Sequence, residues 1–264
     1  MLLVALFALV SSAWGRVSAA PILQLYIEGV NFRPDDRTWV LELPPSPAIE
    51  FRLWAVGATD NFGSIFNVRL SAAYPSSLRS GSNDLAFLLT PATTGGLGGF
   101  TDPSTPSVPV FSGSGGPGTT PLIFGSTQLP SHGVLGPDTV WQEFSLGDFT
   151  LRDSPIANFE NSFPAPTAEL GQINVYRVRV SYPSLLPEGT TIHFDVYGVV
   201  EGRREPRPVF GPPSHDAEIR IDPAVIPVPP TVLLAVSMGV SWGLARALIA
   251  LRSRRKKRPG GGAQ

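Results

Sequence analysis

Proline and glycine recur so often along this chain, 28 and 27 times in 264 residues, that few stretches are long enough to complete a stable helix. Proline lacks the amide hydrogen that a helix interior needs, and glycine loses more backbone entropy on ordering than any other residue. Between these breaks apolar and polar side chains alternate. Ile49, Phe51, Leu53 and Ala55 alternate with Glu50, Arg52 and Trp54, and Phe66, Val68 and Leu70 with Asn67 and Arg69. The same holds for Val178 and Val180 against Arg177 and Arg179, and for Ile192, Phe194 and Val196 against His193, Asp195 and Tyr197. A period of two places one face against a core and the other toward water, which is the mark of a strand. Further strands are expected at 23–28, 38–43, 84–89, 140–144 and 218–221, separated by turns rich in Gly, Pro, Asn and Asp. The expected fold is all-β: an antiparallel β-sandwich of jelly-roll type over residues 21–224, long enough to bury a core without staples. Residues 90–121, a mixture of Gly, Pro, Ser and Thr, are expected to form a flexible surface loop, since they hold too few apolar side chains to offset the entropy of ordering.

The two ends depart from this pattern. Residues 2–10 are uniformly apolar and are followed by Ser18, Ala19 and Ala20, so 1–20 reads as a secretory signal. Residues 232–251 form a second apolar run, followed at once by Arg252, Arg254, Arg255, Lys256, Lys257 and Arg258. Twenty helical residues span about 30 Å, the thickness of a hydrocarbon core, and a cationic cluster on one side keeps that end in the cytoplasm. One transmembrane helix is therefore expected inside an anchor segment 225–258, with 259–264 as a disordered tail. Arg246 lies within the run, close enough to its end for the long side chain to reach the interface.

Two literal motifs carry no chemistry in their settings. Gly113, Gly115 and Gly118 spell G-x-G-x-x-G without the preceding strand and following helix that a dinucleotide site requires. Gly239, Ser241 and Gly243 spell G-x-S-x-G inside the apolar run, where a nucleophile elbow has no solvent-reachable turn.

Charge separates the parts. Seven of the 20 basic residues lie at or after Arg246 and one is Arg16, which leaves 12 against all 21 acidic residues in the intervening domain. An acidic domain excludes nucleic acid as a main partner, because that needs a basic footprint. Cations, neutral glycans and other surface proteins stay open as partners. The absence of cysteine excludes disulfides, thiolate metal sites and thiol nucleophiles.

Chemistry-bearing residues are sparse. His132 and His215 each follow a serine, and His215 adjoins Asp216, so His132, His215 and Asp216 form a candidate site for a divalent cation. Otherwise these side chains satisfy turn backbone groups. His193 and Asp195 share one strand face. Glu143, Asp148, Asp195 and Glu201 are the carboxylates that an envelope polysaccharide hydrolase would draw on. Trp54 and Trp141 are aromatics that would stack on sugar rings if exposed.

Ile226, Pro227, Val228, Pro229 and Pro230 precede the short apolar run and terminal basic cluster, and the arrangement resembles the PEP-CTERM sorting signal and its Val-Pro-Leu-Pro-Ala variant. The resemblance implies an exosortase as partner, a membrane protease that removes the tail. This chain lacks the Glu between the prolines. The domain resembles the choice-of-anchor N family through residues 23–29, 39–40, 129–134, 141–144, 192–197 and 214–218. That family implies an exported domain and no particular activity. The expected function is a non-catalytic cell-surface or matrix protein of a bacterial envelope, inner-membrane anchored or released after tail processing. The alternative is the tethered hydrolase.

Overall fold

Alternation becomes strand wherever it is regular, as a computed structural model of the chain shows for residues 21–79, 84–92, 108–158, 169–202 and 205–223. The signal 1–20, the sorting motif 226–230, the apolar run 232–251, the basic cluster 252–258 and the tail 259–264 lie outside the described residues. Among the described residues no helix is long and apolar enough to cross a membrane. The longest α-helix among them is a single turn, Thr59–Phe62.

Strands, numbered in chain order, form two principal sheets. The first contains β1 (Leu23–Ile27), β4 (Ala48–Gly57), β6 (Ala86–Pro91), β11 (Ser154–Ile156) and β12 (Glu169–Ser181). Its order is β1-β4-β12, and β11 and β6 each pair with β12. The second contains β2 (Phe32–Arg33), β3 (Thr38–Leu43), β5 (Ile65–Pro75), β7 (Val110–Gly115), β10 (Thr139–Phe149), β13 (Thr191–Val200), β14 (Arg207–Phe210) and β15 (Ala217–Ile221). Its order is β2-β3-β15-β13-β5-β10-β7, with β14 beside β13. A small hairpin joins β8 (Leu122–Phe124) to β9 (Thr127–Gln128).

The two sheets meet through one apolar core. Phe51, Leu53, Tyr176 and Val178 from the first sheet share it with Leu70, Phe144, Phe194 and Ile219 from the second. Ring contacts bridge the layers: Phe51 and Phe194 centroids lie 5.8 Å apart, and Phe87 and Phe144 6.1 Å. Each such side chain, fully buried, contributes about 1.5–3 kcal/mol. The second sheet is also covered on its outer face, where Ile123, Leu129 and Leu135 pack on Ala73, Trp141 and Tyr197.

Two expectations are corrected. The sheets are not wholly antiparallel, because β15 pairs in parallel with β3, from Ala217 beside Trp39 to Ile221 beside Leu43. Parallel neighbours need a long crossover, and here nearly the whole domain supplies it. Residues 110–115, expected within the polar loop, form edge strand β7 on β10. Glycine makes this possible, since a Cβ at Gly115 would overlap the Trp141 indole, and Phe111 meets Phe144 at 6.1 Å. Of the G-x-G-x-x-G glycines, Gly115 thus serves close packing, and Gly118 supplies a turn with a φ of 73°.

Candidate metal centre

Strand geometry selects which polar residues lie under the outer cover of the second sheet. On β13, Ile192, Phe194 and Val196 point into the core, so His193, Asp195 and Tyr197 point outward. On β15, Ala217, Ile219 and Ile221 face the core, so Glu218 and Arg220 point outward, with Asp216 in step just before the strand. The register sets His193 beside Glu218 on β15 and beside Ala73 on β5. His132 comes from above. It occupies a turn, closed by the Val134 N–H donating to Ser131 O at 2.7 Å, in a segment whose Leu129 and Leu135 are buried on the sheet. Its φ of 47° is a left-handed conformation that costs a side-chain-bearing residue about 1–2 kcal/mol.

Four side chains converge: His132, His193, Asp195 and Asp216 each offer a ligand atom, all within 4.8 Å of one another. His193 Nε2 lies 3.4 Å from Asp195 Oδ1 and 3.2 Å from Asp216 Oδ2, and His132 Nδ1 lies 3.5 and 4.0 Å from the same two oxygens. All four side chains are at most 8% exposed. Proximity does not become hydrogen bonding. Both nitrogens of His132, both of His193, and Asp216 Oδ1 are buried with no hydrogen-bond partner. Nor does any Lys or Arg among the described residues lie within ion-pair distance of Asp195 or Asp216.

Electrostatics sharpens the point. Burial alone would push the His193 imidazole toward its neutral form, but Asp195, Asp216 and Glu218 outweigh it and hold its pKa well above the ordinary value. Glu218 stands 3.7 Å from His193 Nδ1, and Arg220 Nε hydrogen-bonds it while Nη1 pairs with Asp36 at 2.9 Å. Burial opposes ionisation of Glu218, yet His193 and Arg220 bring its pKa below the usual value.

Of the three residues singled out in sequence, the structure brings His132 and Asp216 together and sends His215 elsewhere. His215 lies in a short 3-10 turn before β15, and its Nε2 meets Asn158 Oδ1 at 2.8 Å. Neighbouring residues entering a strand point to opposite faces, which is why the His215-Asp216 pair cannot act as one unit. The ligand-type residues that the sequence trio omits are His193 and Asp195, and their i, i+2 spacing was the available signal.

The hydrolase candidates scatter. Glu143 is 5% exposed and accepts hydrogen bonds from Arg69 Nη1 at 3.2 Å, Ser112 Oγ at 2.8 Å and the Tyr197 hydroxyl. Asp148 Oδ1 accepts the Asn67 N–H at 2.8 Å, and Glu201 is exposed beyond β13. Trp54 and Trp141 are buried, their indole N–H groups donating to Glu28 and Thr119, so neither presents a face to a sugar.

No family model and no curated protein matches the chain. Among solved structures it is similar to AvmM, which catalyses macrocyclisation in alchivemycin A biosynthesis, at 14% identity over 77% of this chain and 90% of that one, TM-score 0.32. A collagen-binding domain from a Staphylococcus aureus adhesin is similar at 6% identity over 77% of this chain and 99% of that one, TM-score 0.25. BcpA, the major pilin subunit of Bacillus cereus, is similar at 7% identity, covering 76% of this chain and 38% of that one, TM-score 0.25. At these scores none of the three informs the site.

Proposed function

We propose that the chain is an exported β-sandwich, held at a bacterial membrane by residues 232–251 and acting there without catalysis, in adhesion, matrix assembly or binding of glycans or surface proteins. The observation that carries this reading is the fate of the carboxylates. A glycosidase needs two of them free to act as acid and as base or nucleophile across a substrate groove. Here Glu143 is committed to Arg69, Ser112 and Tyr197, Asp195 faces two imidazoles, and Asp148 holds a backbone amide. Exposed apolar side chains on β7 and β8, namely Val110, Phe111, Leu122 and Phe124, offer contact surface suited to a protein partner.

The tethered hydrolase remains the second reading because a cleft of roughly 380 Å³, lined by Tyr74, Gly133, Val134, Thr139, Thr191 and His193, reaches one ligand-type residue. Intact-mass analysis of protein from the native envelope, with assay of the same sample on envelope polysaccharides, tests both. The expected result is a membrane or surface protein lacking residues 1–20 and releasing no reducing ends. Recovery in the cytosol with Met1 attached would overturn export, and metal-dependent cleavage would replace the first reading with the second.

A further inference from the structure

We infer that His132, His193, Asp195 and Asp216 bind one divalent transition-metal ion, zinc in the first instance, and that this ion clasps the 129–135 segment to the outer face of the second sheet. Three independent observations converge on it.

The first is charge. Asp195 and Asp216 are two buried carboxylates without a Lys or Arg among the described residues to offset them. A buried ion needs pairing or metal, and a doubly charged cation restores neutrality with both imidazoles unprotonated. The second is the set of orphaned atoms, four imidazole nitrogens and Asp216 Oδ1. Buried polar atoms without partners are rare, and here they include His132 Nδ1 and His193 Nε2, the two nitrogens that face Asp195 and Asp216. The third is spacing. A tetrahedral ion with bonds of about 2.0–2.1 Å requires ligand atoms about 3.4 Å apart. The four nitrogen-to-oxygen separations run from 3.2 to 4.0 Å.

Donor type narrows the ion. Two imidazoles with two carboxylates suit zinc and its first-row neighbours, whereas calcium and magnesium take oxygen ligands. Glu218 acts as a positioning residue. Lying on the Nδ1 side of His193 and fixed by Arg220, it selects the tautomer whose Nε2 lone pair faces the ion. His132 alone arrives from a covering segment, so the ion joins cover to sheet. With four protein ligands and side chains at most 8% exposed, the centre is of the closed, structural kind.

The test uses the full chain purified without a polyhistidine tag, stripped with a chelator and titrated with zinc chloride, with calcium and magnesium chloride as comparators. One zinc per chain, a raised unfolding temperature and no response to calcium or magnesium are expected. His132→Gln should weaken zinc at least tenfold with an unchanged far-ultraviolet dichroism spectrum. Glu218→Gln should weaken it 10–100-fold. Because substitutions inside the sheet can impair folding, cobalt(II) substitution of the unaltered chain supplies a second readout, with intense tetrahedral d–d bands expected. Failure of the stripped chain to take up zinc, or undiminished uptake by a His132→Gln, Asp216→Asn double variant, would overturn the site. A six-coordinate cobalt spectrum would overturn the closed clasp.

Discussion

Two buried ionic clusters share the outer face of the second sheet, and they are built on opposite principles. Around Glu143 every group has found a partner within the chain. Arg69 reaches both carboxylate oxygens and Ile123 O, Ser112 and Tyr197 donate to the carboxylate, and the guanidinium lies 5.5 Å over the Tyr197 ring. Around Asp195 and Asp216 the neighbours are imidazoles, and none of their nitrogens makes a hydrogen bond. The carboxylates are equally buried in the two, so their desolvation does not separate the clusters. What separates them is the cation. One cluster carries a permanent guanidinium in Arg69, whereas the carboxylates of the other face only titratable imidazoles whose nitrogens make no hydrogen bond. A self-satisfied network rigidifies the fold, whereas the unpaired buried atoms of the other carry a cost that the proposed ion would remove.

The largest expected effect comes from damaging the complete cluster. Glu143→Ala leaves the partly buried Arg69 charge and the buried Tyr197 hydroxyl without their acceptor, a loss of about 3 kcal/mol by urea unfolding. The loss should be the same with zinc or with chelator. A loss that zinc restores would mean that the two clusters are not separate. Asp216→Asn should behave in the opposite way. In chelator it removes one of two like charges together with one partner of the His193 imidazole, two effects that offset and leave stability little changed, whereas in zinc it forfeits the metal-linked gain, about 2.7 kcal/mol at a free concentration one hundred times Kd. Equal destabilisation under both conditions would assign Asp216 to ordinary architecture.

A steric prediction concerns the edge of the same face. Gly115→Ala places a methyl against the Trp141 indole and Thr119, and overpacking of this kind costs about 1–3 kcal/mol. Thermal unfolding should show the loss, and zinc affinity should not change. The smallest effect is alkaline. Burial first, and then the Glu143 carboxylate, raise the Tyr197 pKa, and burial likewise raises that of Tyr176. A raised folded pKa means that the unfolded chain releases the proton first. The stability involved is complete below the ordinary tyrosine value of about 10 and declines as pH rises above it. Ultraviolet titration of the folded protein to pH 12 should show these two phenols silent. Their titration in the folded state would contradict the burial.

Fold was legible because its cause is local. Alternation at 49–55, 66–70, 177–180 and 192–197 records which side chain faces the core, and each of these stretches is strand. Strand β7 was hidden because its Gly115 answers to Trp141, some 26 residues away, and not to a local period. The parallel β3–β15 pair was hidden for the same reason, since no turn connects the partners. The site was legible in half. His132 and Asp216 were found from their loop settings, but chain adjacency promoted His215, which the strand reverses toward Asn158. The alternation that predicts the core also sorts ligands: His193 with Asp195 and Asp216 with Glu218 are i, i+2 pairs on strands that turn out to be neighbours. That adjacency is tertiary and leaves no trace in either segment alone.

The parallel pair also governs how the domain bears load. Whatever holds the chain beyond Ile221 pulls β15 lengthwise past β3, so five residue pairs are strained together in shear and do not peel one by one. On the other flank β13 grips the same strand over four more pairs. We predict that extension between residues 23 and 223 in a single-molecule pulling experiment shows one abrupt high-force rupture; gradual low-force unzipping would contradict this. A domain anchored by that end would resist being torn from its mooring, because tension meets both neighbours of β15 at once.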